Sequence, residues 1–172
     1  AGLLHWIGED VDAPYFRQVE DLTMRRDLIR WEAKNLKILY SPLHGAGNIP
    51  VRRVLRELGF SQVTVVPQQE LPDGTFPTAP YPNPEESSVF HLAVEMAKQE
   101  EPDLIFATDP DCDRIGVLAR TADGEYVVLT GNQTGALLCD YVIRTHRELG
   151  TMPTNPAIIK TIVTSDFGKR IC

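Results

Sequence analysis

Asp103-Leu104-Ile105-Phe106-Ala107-Thr108-Asp109-Pro110-Asp111-Cys112-Asp113-Arg114-Ile115-Gly116-Val117-Leu118 is the stretch from which the rest of the chain can be read. Its two apolar runs ask for burial, and between them three carboxylates stand at every second position. In a strand that period would place all three on one face, where like charges repel. The segment therefore reads as a loop at the end of a strand. Acceptor-only groups crowded together repel unless a cation sits among them. Hard oxygen donors favour Mg²⁺ or Mn²⁺ over Zn²⁺. Asp109, Asp111 and Asp113 are thus candidate metal ligands, and Arg114 beside them suits a phosphorylated ligand held by both metal and guanidinium.

An EF-hand also begins with alternating aspartates, but it requires Gly at loop position six and Glu at position twelve. Counting from Asp109, those positions hold Arg114 and Arg120. An acidic turn without a metal is the plainer alternative.

Working outward, Leu36–Tyr40 and Val63–Val66 are short apolar runs of strand type, and Val51, Val54, Leu55 and Leu58 between them recur at helical spacing before Gly59. Upstream, Val11–Lys34 is helix-friendly, with a helix entry at Asp12 and Pro14. Pro67–Pro84 contains six prolines and reads as a long irregular connection. Glu85–Gln99 is helical, with Val89, Leu92, Ala93, Met96 and Ala97 on one face. Downstream, Ala122-Asp123-Gly124-Glu125 is a hairpin turn that returns Tyr126–Leu129 against Ile115–Ala119. Thr130 caps a helix over Asn132–Leu149 whose expected core face holds Leu137, Leu138, Tyr141 and Val142. After a polar linker, Ala157–Val163 reads as a strand, and Ser165 or Asp166 as the start of a helix that the chain end cuts short. The alternation of strand and helix predicts an α/β fold, a three-layer α/β/α sandwich. Its sheet is mostly parallel but mixed, with one antiparallel strand added at an edge. Ligands in such sheets gather beyond the carboxyl ends of strands, where Asp109–Arg114 lies.

Four motifs carry a family resemblance. Asp109–Arg114 resembles the D-P-D-G-D-R or D-P-D-A-D-R metal loop of the α-D-phosphohexomutases, the phosphoglucomutase and phosphomannomutase superfamily, with Cys112 an uncommon choice at the small-residue position. Ser41-Pro42-Leu43-His44-Gly45 is similar to its T-P-L-H-G segment, Phe76-Pro77-Thr78 to its F-P-T, and Pro82-Asn83-Pro84-Glu85 to its P-N-P-E, all in family order. The resemblance implies the second of four domains, with Mg²⁺ on Asp109, Asp111 and Asp113 facing a phosphoserine from another domain. It also implies transfer of phosphate between positions 1 and 6 of a hexose through a bisphosphorylated sugar, with phosphomannomutase and phosphopentomutase as sister activities. Nothing here matches the family's T-A-S-H-N-P nucleophile segment, its G-E-x-S-G sugar loop or its final phosphate loop. No catalytic serine is therefore expected in this chain. Asn132 stands where the family often has Asp after Thr-Gly. A haloacid-dehalogenase-type phosphatase also places D-x-D after a strand, but uses it near the start of its domain, so a stand-alone Mg²⁺-dependent phosphatase is the weaker alternative.

Ser41–Asn48 contains two glycines yet matches neither the dinucleotide fingerprint nor a P-loop. It reads as a tight turn in which His44 packs or, less favourably, contacts phosphate. The net charge of −7, with no Lys/Arg cluster, argues against a nucleic-acid partner. No apolar run approaches the roughly 20 residues that cross a bilayer. Cys112, Cys139 and Cys172 read as free thiols of a reducing, cytoplasmic setting. The expected organisation is residues 1–10 as the tail of a preceding domain and 11–150 as the α/β/α domain. Residues 151–172 would be a linker with the start of a following domain. Expected partners are hexose phosphates and the other domains of the same polypeptide.

Overall fold

Two β-α-β crossovers that step in opposite directions from a shared strand set the architecture. A computed structural model describes residues 2–172. Strand β1 (Lys37–Ser41) leads through helix α3 (Asn48–Glu57) to β2 (Gln62–Val65) on one side. The chain then returns through the one-turn helix α4 (Pro67–Glu70), a 3₁₀ turn (Ser87–Phe90) and α5 (His91–Glu100) to β3 (Leu104–Thr108) on the other side of β1. Right-handed crossovers in opposite directions place α3 and α5 on opposite faces of the sheet. The hairpin strands β4 (Ile115–Arg120) and β5 (Tyr126–Leu129) complete the order β2-β1-β3-β4-β5. β1 pairs parallel with β2 and β3, whereas β3–β4 and β4–β5 pair antiparallel, so β4 alone runs against the others and β5 closes the edge.

Register decides which side chains meet. Leu39, Ile105 and Leu118 stand in one row across β1, β3 and β4. Together with Ala107 they bury against Val89, Phe90, Ala93 and Ala97 from the 3₁₀ turn and α5. The opposite face carries Ile38, Tyr40 and Phe106, with the Tyr40 and Phe106 rings 5.1 Å apart. On that side α1 (Glu9–Asp21) packs on α3, where the Arg53 guanidinium lies 4.2 Å above the ring of Phe16.

Several sequence expectations are corrected. The helix-friendly 11–34 segment holds two helices, α1 and α2 (Arg26–Glu32). α1 starts at Glu9 behind Gly8, and Pro14 lies inside it. Three acidic residues in its first turn favour that earlier start against the helix dipole. Ala1 lies outside the described residues. Pro67–Pro84 is not wholly irregular, because Pro67 opens α4 as its first residue. Helix α6 (Gly131–Leu149) has the expected Thr130 cap as a reciprocal capping box with Gln133. Its expected core face is instead open: Leu137 is 60% and Leu138 56% exposed. α6 packs chiefly on β4 and the short C-terminal helix α7 (Gly168–Ile171), with Glu148 near its end paired to Arg25, and a helical pattern marks an apolar stripe without marking what covers it. Ala157–Val163 forms no strand and joins neither edge of the sheet, β2 or β5. Asn132 Oδ1 accepts the Ser165 N–H at 2.8 Å and so ties this segment to the start of α6.

Candidate metal centre

The loop after β3 curls around one carboxylate. Cys112 N–H donates to the Asp109 carbonyl at 3.0 Å, closing the turn. Asp109 Oδ1 then accepts the backbone N–H groups of Asp113 (3.1 Å) and Arg114 (2.9 Å). Oδ2 accepts the Arg114 Nε–H at 2.8 Å. Asp109 is fully buried, whereas Asp111 and Asp113 face solvent. Burial pushes the Asp109 carboxyl up, but the backbone and guanidinium hydrogen bonds of Arg114, with Asp113, outweigh it and hold the group below its ordinary range. The hydrogen bond that Asp113 shares with Asp109, then the charges of Asp109 and Asp111, raise Asp113 above its ordinary value.

One oxygen from each of Asp109, Asp111 and Asp113 lies within 4.8 Å of the others. Two ligands of one octahedral Mg²⁺ stand about 3 Å apart when adjacent and about 4 Å when opposite, given Mg–O bonds near 2 Å. The two exposed carboxylates need only a small closure to meet that geometry. Three of the roughly four acceptor directions of Asp109 are used by hydrogen bonds, which leaves one for a metal. The donor set is hard oxygen throughout. The half-buried Cys112 thiol points instead toward Gly47, where its sulfur stands 2.8 Å from the place a Cβ would occupy. The residues present fit a hard divalent cation. Cys112 adopts φ 62°, in the left-handed region, so glycine would meet the backbone demand of that position at lower cost.

Arg114 lies beside the triad as expected, half exposed, its Nε 3.6 Å from Asp113 Oδ1. His44 is placed differently from a ligand-contacting histidine. It is 6% exposed, with Nδ1 3.1 Å from the Leu71 carbonyl oxygen and Nε2 2.9 Å from Thr78 Oγ1. Both ring nitrogens are engaged, so His44 meets a phosphate only by giving up one of these bonds. Its ring also stands edge-on to Phe76 at 6.4 Å. Leu43 and His44 both adopt positive φ, 47° and 62°. Two successive non-glycine residues there cost roughly 1–2 kcal/mol each and persist only where surroundings fix them.

Sequence reasoning missed Gln69. Fully buried, it accepts Ser41 Oγ–H at 2.7 Å, donates to the Val89 carbonyl at 3.3 Å, and its own carbonyl accepts His44 N–H at 2.9 Å. A glutamine within Gln68-Gln69-Glu70 gives no sign of burial. Gly116 was likewise unremarkable: a Cβ on it would lie 2.0 Å from the Pro84 carbonyl oxygen, so the Pro82–Glu85 segment presses directly on β4.

The family model described as phosphoglucomutase/phosphomannomutase, alpha/beta/alpha domain II, matches residues 13–124. That range contains all four motifs and the whole metal loop. The chain belongs to the phosphoglucomutase/phosphomannomutase family. The phosphoglucomutase of Staphylococcus haemolyticus is 37% identical over 137 residues, covering 80% of this chain and 24% of that protein. The phosphoglucomutase of Staphylococcus epidermidis is 32% identical over 169 residues, covering 98% of this chain and 29% of its own length. The chain therefore spans less than a third of these relatives. A solved phosphoglucomutase/phosphomannomutase family protein from Burkholderia thailandensis superposes with a TM-score of 0.53 over 73% of this chain and 26% of that one, at 21% identity. At that identity the likeness speaks for the fold alone. The mixed α/β sheet is thus the architecture of this family's second domain.

Proposed function

We propose that this chain is the metal-binding domain of a phosphohexomutase acting as a phosphoglucomutase. The full-length enzyme exchanges phosphate between the 1- and 6-positions of a hexose through a phosphoserine from another domain and a bisphosphorylated sugar. In this reading residues 11–150 are the domain, 1–10 trail from a preceding one, and 151–172 lead to the next. The whole enzyme works in the cytoplasm. The observation that carries the proposal is the convergence of Asp109, Asp111 and Asp113 at the carboxyl end of β3 with Arg114 alongside. Asp109, Asp111 and Asp113 would hold Mg²⁺, which when bound would supply charge neutralisation for a phosphoryl group in transfer. Asp109 anchors the loop, while Asp111 and Asp113 present exposed carboxylates beside it. Arg114, fixed through Nε on Asp109, keeps its terminal N–H groups for a phosphate oxygen. The curated relatives named above favour glucose over mannose as the sugar.

The test is Asp111→Ala in the full-length enzyme. It lowers glucose 1-phosphate turnover by at least about 100-fold, equivalent to some 2.7 kcal/mol of transition-state stabilisation, with an unchanged circular-dichroism spectrum. A variant retaining the wild-type rate overturns the metal assignment. Kinetics across glucose, mannose, glucosamine and pentose phosphates identify the substrate. The chain on its own converts no glucose 1-phosphate, because the family's serine segment has no match in it, and measurable turnover by the isolated chain overturns the single-domain reading.

A further inference from the structure

We propose that the Ser41–Gly47 turn, with the end of β1 that leads into it, is a positioning element for the metal loop, with Gly45 in the turn and Tyr40 at the end of β1 as positioning residues; this rests on the metal reading above. The turn meets the loop at the Pro110 peptide through two adjacent residues, and a separate contact joins the strand ends that lead into turn and loop. Ala46 N–H donates to the Pro110 carbonyl oxygen at 2.8 Å, which fixes the loop backbone between Asp109 and Asp111. Gly45 lies flat against the same peptide: a Cβ there would stand 2.3 Å from Pro110 Cα and 2.6 Å from its carbonyl oxygen. Tyr40 OH and Thr108 Oγ1 are 2.8 Å apart, one hydrogen bond from the residue preceding Asp109. Gly47 leaves room for that pair, since a Cβ on it would lie 2.7 Å from each hydroxyl.

The turn is itself held firmly enough to serve as a template. His44 is bonded through both ring nitrogens to the 71–78 connection and through its N–H to Gln69. Gly45 N–H donates to the Pro42 carbonyl at 2.8 Å and Leu43 N–H to Ser41 Oγ at 3.1 Å. Asp111 has no such framework, and Asp113 is held through its backbone N–H on Asp109 Oδ1. Their spacing depends on the path of the backbone through Pro110, and that path is set by the turn. His44 thus acts on the metal centre from behind, through Gly45 and Ala46, and not by touching a ligand. Groups that orient metal ligands from outside the coordination sphere typically change metal affinity 10- to 100-fold when altered.

The experiment measures Mn²⁺ binding to the full-length protein by loss of the free-ion electron paramagnetic resonance signal. Four variants are compared: Gly45→Ala, Tyr40→Phe, Asp111→Ala, and Phe16→Leu as a core change on α1 remote from the loop. The expected result is Mn²⁺ affinity reduced roughly 10- to 100-fold in Gly45→Ala and about 10-fold in Tyr40→Phe. Asp111→Ala abolishes binding and Phe16→Leu leaves it unchanged. If Gly45→Ala does not fold, Tyr40→Phe, which removes a single oxygen, decides alone. Wild-type affinity in Tyr40→Phe and in any folded Gly45→Ala, with binding lost in Asp111→Ala, overturns the positioning role and leaves the metal centre standing. Wild-type affinity in Asp111→Ala overturns the metal centre itself. An equal loss in Phe16→Leu shows that lowered stability alone weakens binding, and this also overturns the positioning role.

Discussion

Asp109 and Asp111 have the same side chain two residues apart, yet the fold gives them different tasks. Asp109 is buried and accepts two backbone N–H groups and a guanidinium, whereas Asp111 is exposed. Removing Asp109 leaves those donors without an acceptor, so Asp109→Ala costs about 2–3 kcal/mol in thermal or denaturant unfolding. Asp111→Ala stays within about 0.5 kcal/mol of wild type, and on the proposed reading neither variant binds Mn²⁺. pH separates the residues further. Its hydrogen bond with Asp109 and the neighbouring carboxylate charges raise the Asp113 carboxyl, which would have to lose its proton to bind a cation, so Mn²⁺ affinity is expected to fall as the pH drops through the raised value. Titrations between pH 7 and pH 4 follow that loss. Asp109 has the opposite sign. Its depressed value stabilises the fold fully above the unfolded-state value near 3.9, and that contribution disappears as acid titrates the native carboxylate.

At the scale of elements, the site is an agreement among three connections. The β1–α3 turn touches the metal loop through Gly45 and Gly47, the 71–78 segment grips His44, and the 82–85 segment lies on Gly116 of β4. Gly116→Ala sets a methyl group against the Pro84 carbonyl, which is backbone and cannot swing aside. The expected cost is about 3 kcal/mol, at the upper end of overpacking effects, read as a lowered unfolding midpoint. Tyr40 shows the same dependence between elements. Burial raises its phenol, so the hydroxyl stays protonated and available to Thr108 throughout the working range. His44 and Cys112, both at positive φ, accept backbone strain that these contacts offset.

Across the whole molecule, stability is concentrated around β1 and β3. Both strands are paired on each side, and Leu39, Tyr40, Ile105 and Ala107 are fully buried. The 157–163 stretch has no ladder, and Ile159, Ile162 and Val163 are exposed. Native-state hydrogen exchange therefore leaves β1 and β3 amides protected longest and those of 157–163 exchanging first. Slow exchange in 157–163 would mean that segment forms structure absent here. Among the described residues, no helix is long and apolar enough to cross a membrane.

The one-dimensional pattern determined what depends on near neighbours. Strand β3, the acidic loop after it, the Asp123-Gly124 hairpin and the Thr130 cap all follow from residues within a few positions of one another. The three aspartates were legible because crowded charge at a strand end has few physical explanations. Tertiary structure alone decided what depends on contacts between distant segments. It engaged both nitrogens of His44, buried Gln69 beneath the turn, made glycine necessary at 45 and 116, and left the apolar stripe of α6 and the 157–163 run without a covering partner. A side chain's neighbours three or four residues away are written in the order of the chain, but a Cβ that would strike a backbone 65 residues away, as at Gly45 and Pro110, becomes apparent only after the sheet has formed.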